Sequence, residues 1–266
     1  MYTEKMDFDN IKRTAILASH EGGNILKDFF GKKLKVRHKG EIDLVTDADY
    51  LSEKAITKII KENFPDHQIF AEEKKDYTDR TSPFIWFIDP LDGTTNFAHG
   101  LPIFCISIAL QFKGSTIMGS VYDPTREEMF FALKGNGAYI NDKRIRVSET
   151  KKLDKSLLVT GFPYDIRTSK ENNLKHFQSF IMKAQAVRRL GSAALDLCYV
   201  ASGRFDGFWE IKLSPWDVAA GSLMVQEAGG KVTSFMGEKL DIHGGEILAD
   251  NGIIHKEMLE ILRSTK

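Results

Sequence analysis

The sequence predicts an α+β chain that passes into an α/β arrangement, and three observations carry that reading. Two amphipathic helical segments open the chain, long strand-like runs joined by short turns follow, and beyond a polar run at 148–155 strands and helices alternate to the end. With 266 residues, 42% of them hydrophobic, there is material for one large core or for two that share an interface. The expected division is an N-terminal α+β half, 1–147, and a C-terminal α/β half, 148–266, with no repeat and no low-complexity linker.

Ile11, Ala15, Ala18 and Gly22, then Ile25, Leu26 and Phe29, recur at helical spacing, and Gly31 offers a stop. The basic stretch 32–40 reads as a strand or a solvated loop. A second helix over 47–63 sets Leu51, Ala55, Ile56, Ile59 and Ile60 on one face, with Pro65 beyond its end. Strands are expected at 68–71, 84–89, 104–112, 116–122, 129–133 and near 138–140. The turns Lys113-Gly114-Ser115, Asp123-Pro124 and Gly135-Asn136-Gly137 between them favour antiparallel pairing. In the second half, strands are expected at 157–160, 205–210, 231–233 and 246–249, and helices at 173–184, 193–202, 215–228 and 253–262.

Lys plus Arg and Asp plus Glu each number 37, so no net field draws the chain to nucleic acid or to an anionic membrane. Any anionic ligand must be held by local chemistry. The first residues mix charges where a signal peptide needs an apolar run, and no stretch of about 18 apolar residues occurs. The expectation is a cytoplasmic protein that does not enter a membrane. Cys105 and Cys198 sit in apolar segments without a CxxC partner and read as buried free thiols. The seven histidines show no zinc spacing.

Chemistry concentrates in Trp86-Phe87-Ile88-Asp89-Pro90-Leu91-Asp92-Gly93-Thr94-Thr95-Asn96. An apolar strand ends on Asp89, where the chain leaves the sheet. Pro90 cannot donate to the ladder, Gly93 allows a sharp turn, and Asp89 and Asp92 can then converge on one point. Gly93-Thr94-Thr95 can aim N–H groups and hydroxyls at a phosphate. A lone Asp-Gly is ordinary turn chemistry, but two aspartates, a proline, a glycine and two threonines in seven residues ask for more. Thr46-x-x-Asp49 and Ser214-x-x-Asp217 fit capping boxes, with Pro215 at the first helical position, and either aspartate could instead present an oxygen to a metal or a water. Glu72-Glu73 ends a short strand, as an acidic turn or as further ligands. The set Asp49, Glu72, Asp89, Asp92 and Asp217 offers only oxygen, which suits Mg²⁺, or Mn²⁺ in its place, and not zinc.

These segments resemble the inositol monophosphatase family, whose signatures have the form D-P-[IL]-D-G-T-[TS]-N and W-D-x-A-[AG]-G. Here they read Asp89-Pro90-Leu91-Asp92-Gly93-Thr94-Thr95-Asn96 and Trp216-Asp217-Val218-Ala219-Ala220-Gly221. Asp43-Leu44-Val45-Thr46-x-x-Asp49, Glu72-Glu73 and Gly191-Ser192-Ala193-Ala194 extend the likeness in family order. The resemblance implies a layered sandwich of alternating helix and sheet, a homodimer, lithium sensitivity, and hydrolysis of a small phosphate monoester, foremost myo-inositol monophosphate. It implies that the metal site belongs to the first half and the substrate pocket to the second. By the same resemblance Glu72, Asp89 and the Leu91 carbonyl would hold one Mg²⁺, and Asp89, Asp92 and Asp217 a second. Glu72 would also touch a third, weaker ion. Asp49 and Thr94 would orient and help deprotonate water. Gly93 and Thr94 would cradle the phosphate, with Asp92, Ser192, Ala193, Glu210 and Asp217 around the substrate.

Relatives sharing this metal core cleave fructose 1,6-bisphosphate, nucleotide 3′-phosphates or histidinol phosphate. Glu210 and the 191–194 run favour a monophosphorylated polyol. Arg167, Arg188, Arg189 and Arg204 could anchor a second phosphate, or could form ordinary salt bridges. Bacterial relatives also act as partners of the transcription machinery, for which Arg188-Arg189 would be a candidate contact. The family's mobile segment corresponds to 35–40, and the sequence assigns no substrate contact to His38 or Lys39.

Overall fold

The computed structural model describes residues 6–32, 36–38, 44–72 and 82–265, with the backbone alone at 36–38 and 44–46. The readings placed on 35, 39–43 and Glu73, and on the side chains of His38 and Thr46, lie outside the described residues. No described helix is long and apolar enough to cross a membrane.

Helix α1 (Phe8–Phe29) precedes a short antiparallel pair, β1 (Val36–His38) and β2 (Leu44–Thr46), and then helix α2 (Asp47–Asn63). Strands β3 (Gln68–Ala71) and β4 (Phe84–Asp92) lead into a five-residue helix, α3 (Thr94–Ala98). A meander completes a seven-stranded sheet in sequence order: β5 (Cys105–Phe112), β6 (Ser115–Asp123), β7 (Glu128–Leu133), β8 (Gly137–Ile140) and β9 (Lys143–Arg144). The second half continues with β10 (Leu157–Thr160), α4 (Leu174–Ile181), β11 (Ala186–Arg188), α5 (Ala193–Ala201) and β12 (Gly207–Ile211). It ends with α6 (Pro215–Glu227), β13 (Lys231–Thr233), β14 (Glu246–Asp250) and α7 (His255–Ser264). Its strands form a five-stranded sheet ordered β11-β10-β12-β14-β13.

Strand alternation builds the layers. In β4, Trp86 and Ile88 face α1 and α2, packing with Ile11, Ala15, Ile56 and Ile60, while Phe87 between them faces the other way. That opposite face meets α5 and α6, which rest in turn on Phe208, Ile247 and Ala249 of the second sheet. Trp209 and Leu248 look out from the far side of that sheet onto α4 and α7, through Phe180, Met258 and Ile261. The order is helix, sheet, helix, sheet, helix, the alternating sandwich expected. Helix α6, enclosed by sheet on both sides, is apolar around most of its circumference for that reason.

Three features depart from the sequence reading. First, β3 pairs with β4 in parallel, not antiparallel, an arrangement that no tight turn can join. Second, β4 continues past Asp89 to Asp92. The ladder pairs Asp89 with Ser107 and Asp92 with Cys105, so one extra residue bulges out beside Pro90, which has no N–H to donate. Third, α3 and β11 carry no clear sequence signal. One is five residues long and opens on Thr-Thr-Asn, and the other is a three-residue edge strand.

The crowding of α6 makes specific demands. A Cβ on Gly119 of β6 would lie 2.8 Å from the Ala220 carbonyl, and one on Gly221 would lie 2.5 Å from Leu197 Cβ on α5. Behind the sheet, the His67 ring stacks between Phe64 (4.7 Å) and Phe84 (4.4 Å), and Trp86 Nε1 donates to His67 Nδ1 at 3.0 Å.

Gly119→Ala should destabilise the protein by about 1–3 kcal/mol, measured by denaturant titration, because the obstacle is helix backbone and not a mobile side chain. Burial holds the His67 imidazole below its ordinary value of 6.5. The unfolded chain therefore takes up a proton before the folded one does, and stability contributed at neutral pH should be lost as the pH falls below that value. His67→Gln should flatten this part of a plot of thermal midpoint against pH.

Candidate active site

The bulge at Pro90 decides where the first two carboxylates point. Residues three apart on a regular strand face opposite sides, but one inserted residue restores a common face, so Asp89 and Asp92 share it, opposite Ser107 and Cys105. Gly93, at φ 95°, then turns the chain into α3 in a conformation that L side chains resist. A Cβ there would also lie 2.8 Å from the Ile103 carbonyl. Within the turn Asp89 Oδ1 accepts the Leu91 N–H at 2.9 Å, and Thr94 Oγ1 donates to the Leu91 carbonyl at 3.0 Å.

The parallel pairing of β3 and β4 brings the third carboxylate. Ala71 lies beside Ile88, and the Glu72 N–H donates to the Ile88 carbonyl at 3.2 Å, so Glu72 leaves the sheet next to Asp89. The fourth comes from the start of α6, where Asp217 Oδ2 accepts the Ser214 N–H at 2.7 Å. Asp217 thus caps its helix and also lines the cavity, so the cap does not preclude the ligand reading of Ser214-x-x-Asp217.

The start of α5 secures Asp92. Its Oδ2 accepts from Ser192 Oγ at 2.7 Å and from the Ala194 N–H at 2.8 Å, with Cys105 Sγ 3.8 Å away. The Ala194 contact was not anticipated. Asn96 Nδ2 donates to the carbonyls of Ile103 and Leu190, both at 2.8 Å, and joins α3 to the approach to α5. For Asp89, Asp92 and Asp217 alike, the scaffold's hydrogen bonds fall on one oxygen and leave the other to the cavity that all three line.

That cavity measures about 490 Å³. Glu72, Asp89, Leu91, Asp92, Gly93, Thr94 and Asp217 line it, together with Ser192, Ala193 and Glu210. Glu210, on β12, is buried over Gly161, where a Cβ would stand 2.2 Å from Oε1. Asp49 is buried on the first turn of α2 and contributes to the field on Asp89, but it is not part of the cavity wall. Specificity is expected from the sequence to lie around residues 164–212, but Phe162, Tyr164, Asp165 and Lys212, which line the cavity, carry no individual sign there beyond the loop-forming Phe162-Pro163. Of the four arginines, Arg189 reaches the cavity. Arg204 forms a bidentate pair with Glu128, and Arg188 is exposed on β11.

Burial, then repulsion from Glu72, Asp92 and Asp217, holds the Asp89 carboxyl well above its ordinary value. Burial with the field of Asp92 and Glu72 does the same to Asp217, and burial raises Asp92 against the pull of its Ser192 and Ala194 hydrogen bonds. Glu210 is pushed up to about 8, chiefly by burial. Among the described residues no three His, Cys, Asp or Glu side chains close to metal-holding geometry. The donors themselves fit a hard divalent cation: all are oxygen, one oxygen of each aspartate is kept for the cavity, and a cation would relieve the repulsion.

Residues 7–266 match the inositol monophosphatase family. The chain belongs to that family. It is 47% identical over 256 residues to the inositol-1-monophosphatase of Synechocystis sp., covering 96% of this chain and 88% of that one. It is 43% identical over 247 residues to the Nus factor SuhB of Pasteurella multocida, covering 92% of each. Among solved structures, the inositol monophosphatase of Anabaena superposes with a TM-score of 0.90 at 42% identity over 98% of both chains. The family is known as metal-dependent, in keeping with the oxygen donors at this site.

With carboxyl groups held above their ordinary values, the metal-free fold keeps protons that the unfolded chain gives up. Its stability should therefore decline as pH rises from about 4 through the raised values. A divalent cation replaces those protons, so saturating Mg²⁺ should raise the thermal midpoint, and more at pH 8 than at pH 6. An unchanged midpoint at both would count against a cation site.

Proposed function

We propose that this chain hydrolyses a small phosphate monoester, foremost myo-inositol monophosphate, with Mg²⁺ or Mn²⁺ bound by the carboxylate cluster. The observation that carries this reading is the placing of Asp89 and Asp92 on one face by the Pro90 bulge, at a cavity they share with Glu72 and Asp217. Glu72, Asp89 and the Leu91 carbonyl would hold one ion, and Asp89, Asp92 and Asp217 a second, with Glu72 available to a third. When bound, the ions supply Lewis acidity and lower the pKa of water.

The chain's own groups do the rest. Gly93 and Thr94 turn their N–H groups toward the phosphate. Asp49 supplies negative charge behind Asp89, and with Thr94 orients the entering water and helps take its proton. Glu72 shares in that task. No protein nucleophile is needed, and no phosphoenzyme is implied. Ser192 and Ala193 line the path to the alcohol, and Glu210 accepts hydrogen bonds from its hydroxyls, a role that suits a polyhydroxylated substrate.

The remaining expectations stand on the family and on a few surface features. Lithium should inhibit, the protein should work in the cytoplasm, and two copies should pair. Leu174, Ile181 and Met182, exposed along and just beyond α4, support such pairing. For a bisphosphate substrate, Arg189 is the arginine placed to meet a second phosphate. A second class of function is favoured by the relatives called Nus factors: a binding role in the transcription machinery, for which exposed Arg188 offers a contact.

Asp92→Asn separates the two classes. Its amide oxygen can still accept from Ser192 and Ala194, so the fold should persist while Mg²⁺-dependent phosphate release from inositol 1-phosphate falls on the order of 10²-fold or more. Retention of near wild-type turnover would sink the proposed chemistry. Loss of turnover with an unchanged cellular phenotype would favour the binding role.

A further inference from the structure

Lys212 lies just beyond the end of β12, two residues past Glu210, with φ at 59°. Glycine adopts this left-handed conformation freely, whereas a lysine there is strained. Such outliers persist where the surroundings hold them in place, and they cluster at functional sites. The side chain shows what holds this one. Lys212 Nζ donates to Asp165 Oδ2 and to Ser169 Oγ, both at 2.7 Å.

Both partners belong to the segment that joins β10 to α4. Its base is pinned by the buried Asn173, whose Nδ2 donates to Thr160 Oγ1 at 2.9 Å and to the Gly161 carbonyl at 2.7 Å. Trp209 Nε1 donates to Asn173 Oδ1 at 2.9 Å. Farther along, Phe162, Pro163, Tyr164 and Asp165 line the cavity, as do Glu210, Ile211, Lys212 and Leu213, which leave the sheet beside them from the parallel neighbour β12. The Lys212 contacts join the two segments. They also bind the Lys212 ammonium to Asp165, so it does not stand ready for a second phosphate.

We infer that Lys212 is a specificity-determining residue: its clamp on Asp165 and Ser169 sets the width of the alcohol end of the cavity, admitting a compact uncharged polyol and disfavouring a bulkier alcohol. This inference rests on the phosphatase reading above. The Lys212 side chain retains 32% exposure and that of Asp165 50%. An ion pair so exposed has a small effect, and the expected change in discrimination is about fivefold.

Lys212→Gly is the informative variant, since it removes the ammonium and relieves the backbone strain, so the protein should fold at least as well as wild type. Two readouts are needed: kcat and KM with Mg²⁺ for inositol 1-phosphate and for adenosine 2′-monophosphate, and amide hydrogen exchange across 162–169. The expected result is about a fivefold loss of discrimination between the esters, arising in KM, with faster exchange in 162–169. Asp165→Asn should give the same change and add little to Lys212→Gly in the double variant. Wild-type discrimination in Lys212→Gly, or fully additive effects of the two substitutions, would overturn the specificity role. Should wild type hydrolyse neither ester, the phosphatase reading falls and the specificity role with it. Exchange still judges the clamp in that case, because an unchanged rate in 162–169 would show that Lys212 holds nothing there.

Discussion

Like-charged carboxylates do not gather of their own accord. Each gives up hydration on burial and each raises the cost of ionising its neighbours, so a site built from Glu72, Asp89, Asp92 and Asp217 depends on a scaffold that holds them against their repulsion. Here the holding is divided among separate elements. The Pro90 bulge turns Asp89 and Asp92 to one side, the parallel β3 delivers Glu72, and the Ser214 amide fixes Asp217 at the head of α6. The start of α5 grips Asp92 by a hydroxyl and an amide. In each aspartate the scaffold takes one oxygen and the cavity keeps the other. The repulsion that remains favours whatever cation enters.

This arrangement demands close packing around α6. Helix α6 presents Asp217 from between two sheets, and its distance from β6 is set by contact of backbone with Gly119. Gly221, one turn further on, lets α5 cross close by, and α5 carries Ser192 and Ala194 to Asp92. Glycines that would weaken an isolated helix or strand here allow two helices and a sheet to approach closely enough for one cluster to form. Core packing and site geometry are therefore one constraint.

Two parts of the cavity follow different rules. At the carboxylates, positions are fixed by buried hydrogen bonds and by a sheet register that cannot slip without turning every side chain over. Elsewhere on its lining, residues 162–165 and 211–213 are tied by a partly exposed ion pair between Lys212 and Asp165, a contact small enough to change without disturbing the fold. A chemistry common to a family and a substrate choice that varies within it are natural consequences of such a division. The presence among similar proteins of both inositol-1-monophosphatase and Nus factor names agrees with a core that outlasts changes in use.

The sequence by itself determined what depends on near neighbours. The unbroken apolar run Trp86-Phe87-Ile88 marked a buried strand, and helical spacing marked α1 and α2. The run from Asp89 to Asn96 marked oxygen donors gathered at a turn out of the sheet. Tertiary structure decided what depends on partners distant along the chain: the parallel course of β3, the bulge that makes Asp89 and Asp92 face together, the grip of Ala194 on Asp92, and the reach of Lys212 to Asp165. Whether Asp217 served as a helix cap or faced a cavity was undecidable from Ser214-x-x-Asp217, since the same residue does both. The physical reason is one of range. Propensity and periodicity act over a few residues, whereas ladder register, helix crossing and the field among carboxylates exist only once segments far apart in sequence have been brought into contact.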